Sequence, residues 1–222
     1  MLNTLDDYIC RSISDSEPFC TNPNLVKKVD EKGRFREFTG NTTVFLLDES
    51  TKSKIGALRD ELYAAAGFML ADPLQTATFH LTLHDLVNGP ADAEGIADQM
   101  KAVSEPAKAL IQGFRQQPPL KMRTTWMFNM VNTSIVLGLA PVDGDSCARL
   151  DAMYQAFEQI LPLGYALTPH ITLAYYRPGR YSAHEAALLS RALSAVNMEI
   201  QIQPKDLVLQ TFQDMNHYET VF

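Results

Sequence analysis

The tetrapeptide His-Leu-Thr-Leu at residues 80 to 83 returns as His-Ile-Thr-Leu at residues 170 to 173, in a chain that holds five histidines. A single histidine on a strand is more often a hydrogen-bonded structural residue than a reactive one, so one copy would constrain little. Two copies constrain the whole fold, because the residues around them repeat as well. Asn-Thr-Thr-Val from Asn41 matches Asn-Thr-Ser-Ile from Asn132, and Pro73-Leu74 matches Pro162-Leu163, at nearly the separation of the two motifs. Single-residue loop insertions account for the differences, and the pattern is that of an internal duplication.

Hydrophobic periodicity supports the same division. The first half predicts a strand over 41–47 and a helix over 53–66 with Ile55, Leu58, Leu62 and Ala66 on one face. An alternating strand over 76–86 follows, then a helical stretch over 92–115 and a strand over 120–128. The helical stretch is expected to break at Ser104-Glu105-Pro106, where Ser104 can cap a new start. The second half repeats the order: strand 133–139, helix 146–161 with Leu150, Met153, Phe157 and Ile160 aligned, and strand 170–176. A further helix starts at Ser182, whose spacing to Glu185 is that of a capping box, and strands over 198–202 and 207–212 complete the chain. Residues 1–40 are polar and read as an N-terminal extension ending in a hairpin at Asp30-Glu31-Lys32-Gly33. The expected architecture is α+β: one bilobal domain over 41–222, with lobe one at about 41–128 and lobe two at about 133–222.

Composition narrows the partners. The chain has 222 residues and is 46% hydrophobic, enough for a well-buried core. Its longest uncharged run, between Arg123 and Asp143, carries Asn129, Asn132, Thr133 and Ser134, which a lipid-facing helix would bury at high cost; no membrane partner is expected. Asp6 and Asp7 stand where a secretory signal would need an apolar block, so a cytoplasmic location is the expectation. Cys10, Cys20 and Cys147 are widely spaced and odd in number, and are expected as reduced thiols. A net charge of -7 removes the broad attraction that drives binding to long nucleic acids, and leaves open a small phosphorylated nucleotide or an RNA end, for which a few local cations suffice.

The motifs themselves suggest a reaction. On a strand His80 and Thr82 share one face while Phe79, Leu81 and Leu83 take the other, and His170 and Thr172 stand likewise opposite Ile171 and Leu173. If the halves are related by a pseudo-twofold, the two histidines converge on one cleft. With an unperturbed pKa of about 6.5, one imidazole can take a proton while the other gives one. Opening a cyclic phosphodiester needs both: a base to activate water and an acid to protonate the departing sugar oxygen. Each threonine hydroxyl can donate to a nonbridging phosphate oxygen, and the arrangement requires neither a metal nor a cofactor.

Further candidates surround the motifs. His84 would share a zinc ion with His80 on a helix, but on a strand the two lie roughly 13 Å apart, so no metal site is expected and His84 is a candidate substrate contact or a loop-satisfied histidine. Tyr176 would share the face of His170 and Thr172 on a regular strand, either contacting substrate or closing the sheet edge. Arg123 heads the candidate cations, with Lys121, Arg115, Arg177 and Arg180. Trp126 reads as core before it reads as a base-stacking platform.

Taken together, the paired motifs resemble the His-x-Thr-x signatures of the 2H phosphoesterase superfamily, which includes bacterial-type 2'-5' RNA ligases and cyclic nucleotide phosphodiesterases. The resemblance covers residues 41 to 213, and Asp-Glu-Lys-Gly-Arg-Phe-Arg-Glu-Phe-Thr-Gly-Asn-Thr from Asp30 also resembles the opening segment of a microbial branch. It implies a concave antiparallel sheet with helices on its outer faces, catalytic His80 and His170, and phosphate-contacting Thr82 and Thr172. The first function expected is a metal-independent opening of a 2',3'-cyclic nucleotide or a related cyclic phosphodiester on ribose. An RNA 2'-5' ligase or RNA-end enzyme and a noncatalytic nucleotide-binding module are the alternatives.

Overall fold

The structure, a computed structural model, describes residues 13–222. Cys10 and the first part of the extension lie outside those residues. In chain order the elements are β1 (Phe19–Cys20), β2 (Phe38–Leu46), α1 (Glu49–Ala66), β3 (His80–Pro90), α2 (Ile96–Phe114), β4 (Leu120–Met130) and β5 (Ser134–Pro141). Then come α3 (Gly144–Glu158), β6 (His170–Tyr175), β7 (Arg180–Tyr181), α4 (Ala183–Ala192), β8 (Glu199–Ile202), β9 (Leu207–Asp214) and β10 (His217–Thr220). No helix among the described residues is long and apolar enough to cross a membrane.

Helix starts follow side-chain caps more closely than apolar spacing. The Asp48 carboxylate accepts from the Thr51 amide at 2.8 Å and starts α1 four residues before the apolar periodicity does. Asp143 accepts from the Ser146 amide at 2.8 Å and starts α3 in the same way. Ser182 and Glu185 form the expected capping box of α4. The expected break at Ser104-Glu105-Pro106 does not occur: α2 runs through Pro106 because Ile96, Val103, Ala107 and Ile111 bury one continuous face spanning the proline. Tertiary burial outweighs the lost backbone bond. Ser104 does not cap; its hydroxyl donates to the Met100 carbonyl at 2.6 Å.

Two four-stranded antiparallel sheets, in the orders β10-β9-β2-β3 and β6-β5-β4-β8, carry the structure. Each motif strand is the edge of its sheet, and β3 and β6 lie beside one another. The halves exchange strands. β4 from the first half pairs with β5 of the second, and β9 from the second half pairs with β2 of the first. The helices obey the same exchange, α1 packing on α4 and α2 on α3. One apolar core joins everything, with Phe45, Leu81, Leu83, Ile135, Leu137, Ile171 and Leu173 from the sheets meeting Ile55, Leu62, Ile111, Leu150, Met153 and Phe157 from the helices.

The ladders correct one equivalence. Thr43 opposite His84 occupies the place of Ile135 opposite Ala174, so the strands before the motifs correspond at a separation of 92 residues. Asn41 therefore corresponds to Thr133. Asn132, its apparent match in sequence, sits in the turn between β4 and β5 with a φ of 59°. Both motif strands carry a register shift at the same place: Val44 and Thr43 oppose Thr82 and His84, and Val136 and Ile135 oppose Thr172 and Ala174. The leucine after each threonine is the extra residue of a β-bulge, which reverses the facing of the side chains that directly follow it.

The extension folds back as a strap. β1 pairs with β7, the Asn22 amide donates to the Asn132 carbonyl at 2.8 Å, and the Asn132 side chain donates to the Cys20 carbonyl at 3.0 Å. The expected hairpin is one bridge, Val29 to Phe35, closed by the Asp30 carboxylate accepting from the amides of Lys32 and Arg34. Gly33 takes a φ of 87° in that turn and packs on Ala71 of the main body.

Gly40 marks a close approach of strands in the first sheet. A Cβ there would press on the Val87 carbonyl and the Phe212 ring and come within 2.8 Å of Asn88 Cβ. Gly40→Ala is expected to cost about 1 to 3 kcal/mol by overpacking. A urea titration with unchanged slope and a lowered midpoint checks this, and an unchanged midpoint would show that the strands part without penalty.

Candidate functional site

Where β3 and β6 adjoin, a cavity of ≈ 590 Å³ opens between the sheets. Its lining includes His80 and Thr82 from one half and His170 and Thr172 from the other. Further equivalent positions face each other across it: Thr42 and Ser134 from β2 and β5, then Asp85 and Tyr175 just past the bulges. Leu81, Ile171 and Leu173 are buried away from the cavity, and Leu83, the bulge residue, is buried at its edge. Alternation thus turns the polar residues of both motifs toward the cavity, as expected from the sequence.

Each imidazole is held from behind. His170 Nδ1 lies 2.7 Å from the Thr168 carbonyl, and the His80 ring is hydrogen-bonded by the backbone of Thr78, two residues before it in the same way. A carbonyl oxygen can only accept, so Nδ1 carries the hydrogen and Nε2 keeps a free lone pair in the neutral ring. The Tyr218 ring meets His80 edge-on, with centroids 5.1 Å apart, and fixes its plane.

Burial favours the neutral ring at both positions. His80 is pushed down to about 4 by desolvation, with His170 and Lys52 adding to the push and Asp85 and the Thr78 backbone opposing it. Burial also lowers His170, against the Thr168 carbonyl and Asp85. The Asp85 carboxylate, which accepts from the Thr42 hydroxyl at 3.3 Å, is thus the negative charge felt by both imidazoles. Burial raises the Tyr175 phenol, so it stands protonated and able to donate.

The bulges overturn one expectation built on regular strands and decide between the two readings of His84. Tyr176 does not share the face of His170 and Thr172: it is fully buried, donates its hydroxyl to Asn129 Oδ1 at 3.1 Å, and packs against Phe19. Tyr175 takes the cavity position instead. His84 borders the cavity, yet its side chain is enclosed, with Nε2 2.9 Å from the Glu158 carboxylate and its ring against Tyr154 and Phe157. Asp85, one residue further on, faces the cleft. A doubled leucine-centred bulge leaves no signature in a single sequence, so neither switch was legible there.

The cation candidates also lie elsewhere. Arg123 is exposed on β4 opposite Glu199, and Lys121 pairs with Asp143 at 3.4 Å. Arg115 lies over the Phe222 ring and donates to the Leu207 carbonyl. Arg177 and Arg180 sit by the strap, on which Arg180 pairs with Cys20. Trp126 is 37% exposed and lines no part of the cavity, so it is neither core nor platform there. Among the described residues, the one lysine or arginine in the cavity lining is Lys28, carried in by the strap. No group of three or more His, Cys, Asp or Glu among those residues is placed to hold a metal ion.

No protein-family model matches the chain, and no curated protein matches it in sequence. Solved structures do. The conserved protein ATU0111 of Agrobacterium tumefaciens strain C58, whose function is unknown, is 18% identical; the match covers 91% of this chain and 93% of that one, with a TM-score of 0.62. TT0787 of Thermus thermophilus is 13% identical over 82% of this chain and 95% of that one, with a TM-score of 0.53. E. coli LigT in apo form is 16% identical over 84% and 96% of the two chains, with a TM-score of 0.49. The chain therefore shares its α+β fold with the Agrobacterium and Thermus proteins along nearly their whole length.

Proposed function

We propose that this protein is a metal-independent phosphoesterase that opens a cyclic phosphodiester on ribose, a 2',3'-cyclic nucleotide or a related small nucleotide, with His80 and His170 as its acid-base pair. The observation that carries the reading is the shared cavity lined by both histidines and both threonines, with each ring backed by a carbonyl that leaves Nε2 available. The cavity volume suits a ligand of mononucleotide size.

In the reaction one neutral imidazole takes a proton from water as the water oxygen bonds to phosphorus. The opposite imidazolium gives its Nε2 proton to the ribose oxygen as the P–O bond breaks, and the product is a phosphate monoester with a free hydroxyl. Thr82 and Thr172 donate to the nonbridging oxygens on which charge accumulates. His80 is the base and His170 the acid. Burial opposes a proton on both rings and Asp85 and a backbone carbonyl favour one on both, but the charges of His170 and Lys52 oppose one on His80 alone. A bound phosphate anion raises both histidines and supplies the protonated state the acid needs.

Replacing His80 or His170 with Ala is expected to lower kcat/KM by roughly 100-fold to 10,000-fold, and the double variant to lose far less than the product of the single losses. Full turnover by either variant against a panel of nucleoside cyclic phosphates would refute the assignment. Activity is expected to survive a chelator.

The lowered imidazoles set the pH dependence. As pH rises the base, pushed down to about 4, loses its proton early, and the acid loses its own below the ordinary histidine range. The profile of kcat/KM, which reports the free enzyme, is expected to peak below pH 6.5 and that of kcat at a higher pH, because bound phosphate raises both groups. Coincident maxima above pH 7 would contradict the account.

A further inference from the structure

Among the described residues, Lys28 is a cation without a counter-ion. Its ammonium lies 4.9 Å from the centre of the Phe38 ring and 5.7 Å from that of Tyr175, a cation held on two aromatic faces. No ion pair to it is found among those residues, whereas Arg34, Lys52, Arg59, Lys108, Lys121 and Arg149 each meet a carboxylate. The backbone beneath it is fixed: the Lys28 amide donates to the Leu25 carbonyl, the Arg36 amide donates to the Lys28 carbonyl, and Val29 beside it is fully buried. The strap therefore presents a half-buried ammonium to the cavity.

Its place in the cleft is marked by Tyr175, past the motif on β6. Tyr175 follows Thr172 by three residues, so at about 3.3 Å per residue the Lys28 end stands up to 10 Å, roughly, along β6 from the threonine. The corresponding position of the other half holds Asp85, whose charge reaches both histidines and Tyr175.

We infer that Lys28 with Tyr175 forms a second anion site, which takes a phosphate group of the ligand other than the one held by the His-x-Thr pairs. The ligand class is then a nucleotide with two separate phosphates, the cyclic one that opens and a second at the far side of the sugar. This rests on the phosphoesterase reading for the identity of the first phosphate. Lys28 supplies a point charge on a prepaid aromatic seat, and the buried Tyr175 hydroxyl, kept protonated, can donate beside it.

The test is calorimetric binding of an adenosine 3'-phosphate and an adenosine 3',5'-bisphosphate to the wild-type chain, Lys28→Met and Lys28→Gln, with turnover of adenosine 2',3'-cyclic phosphate measured with and without a 5'-phosphate. The wild type is expected to prefer the bisphosphate by roughly tenfold or more, as for a hydrogen bond to a charged group, and both variants to lose the preference while still binding the monophosphate. Equal affinities on the wild type, or a preference that survives both substitutions, would overturn the second site. Preferential binding through Lys28 without turnover of either cyclic phosphate would keep the site and sink the phosphoesterase reading; turnover of both at equal kcat/KM would do the reverse.

Discussion

The burial of Leu81, Leu83, Ile171 and Leu173 is the constraint from which the cleft follows. Each leucine or isoleucine contributes about 1.5 to 3 kcal/mol when fully removed from water. Strand alternation converts that gain into orientation: with the apolar partners turned into the common core, His80, Thr82, His170 and Thr172 have only the opposite face left. Because the two strands are neighbouring sheet edges, the same preference acting twice brings two imidazoles to one cavity. The carbonyls of Thr78 and Thr168 then choose the tautomer.

The strand exchange between halves makes the cleft rigid in a way that two self-contained lobes would not. β9 and β10, from the end of the chain, complete the sheet carrying His80, and β4, from the first half, completes the sheet carrying His170. The chain crosses between the sheets in both halves, so the two walls of the cleft are tied by several connections rather than by one linker. The strap adds a third tie through β1 and Asn22, so the segment that delivers Lys28 is fastened to the half that delivers His170.

The repeat was plain in the sequence because the motif residues bear both chemistry and periodicity, and the two predicted strand-helix-strand runs correspond to β2-α1-β3 and β5-α3-β6. The regular alternation beyond each motif could not reveal the bulges, which move Tyr176 and His84 inward and bring Tyr175 and Asp85 to the cavity. The exchange of β4 and β9 was hidden for another reason: local apolar patterns state that a strand exists, not which neighbour completes its hydrogen bonds. Lys28 was missed because a polar extension has no periodicity to say where it folds. Arg123 and the other expected cations lie on strands and loops that a presumed cleft would adjoin, but their side chains satisfy themselves on carboxylates, rings or solvent.

The central claim is that both imidazoles, as neutral Nδ1–H tautomers, aim Nε2 at one phosphate. Nitrogen-15 NMR of histidine-labelled protein, titrated with a nucleoside 3'-phosphate, tests it directly. The account predicts an unprotonated Nε2 on both His80 and His170 in the free protein, and a shift of both Nε2 signals toward the protonated form as ligand saturates a single site. An Nε2–H tautomer at either position, or a response from one ring alone, would contradict it.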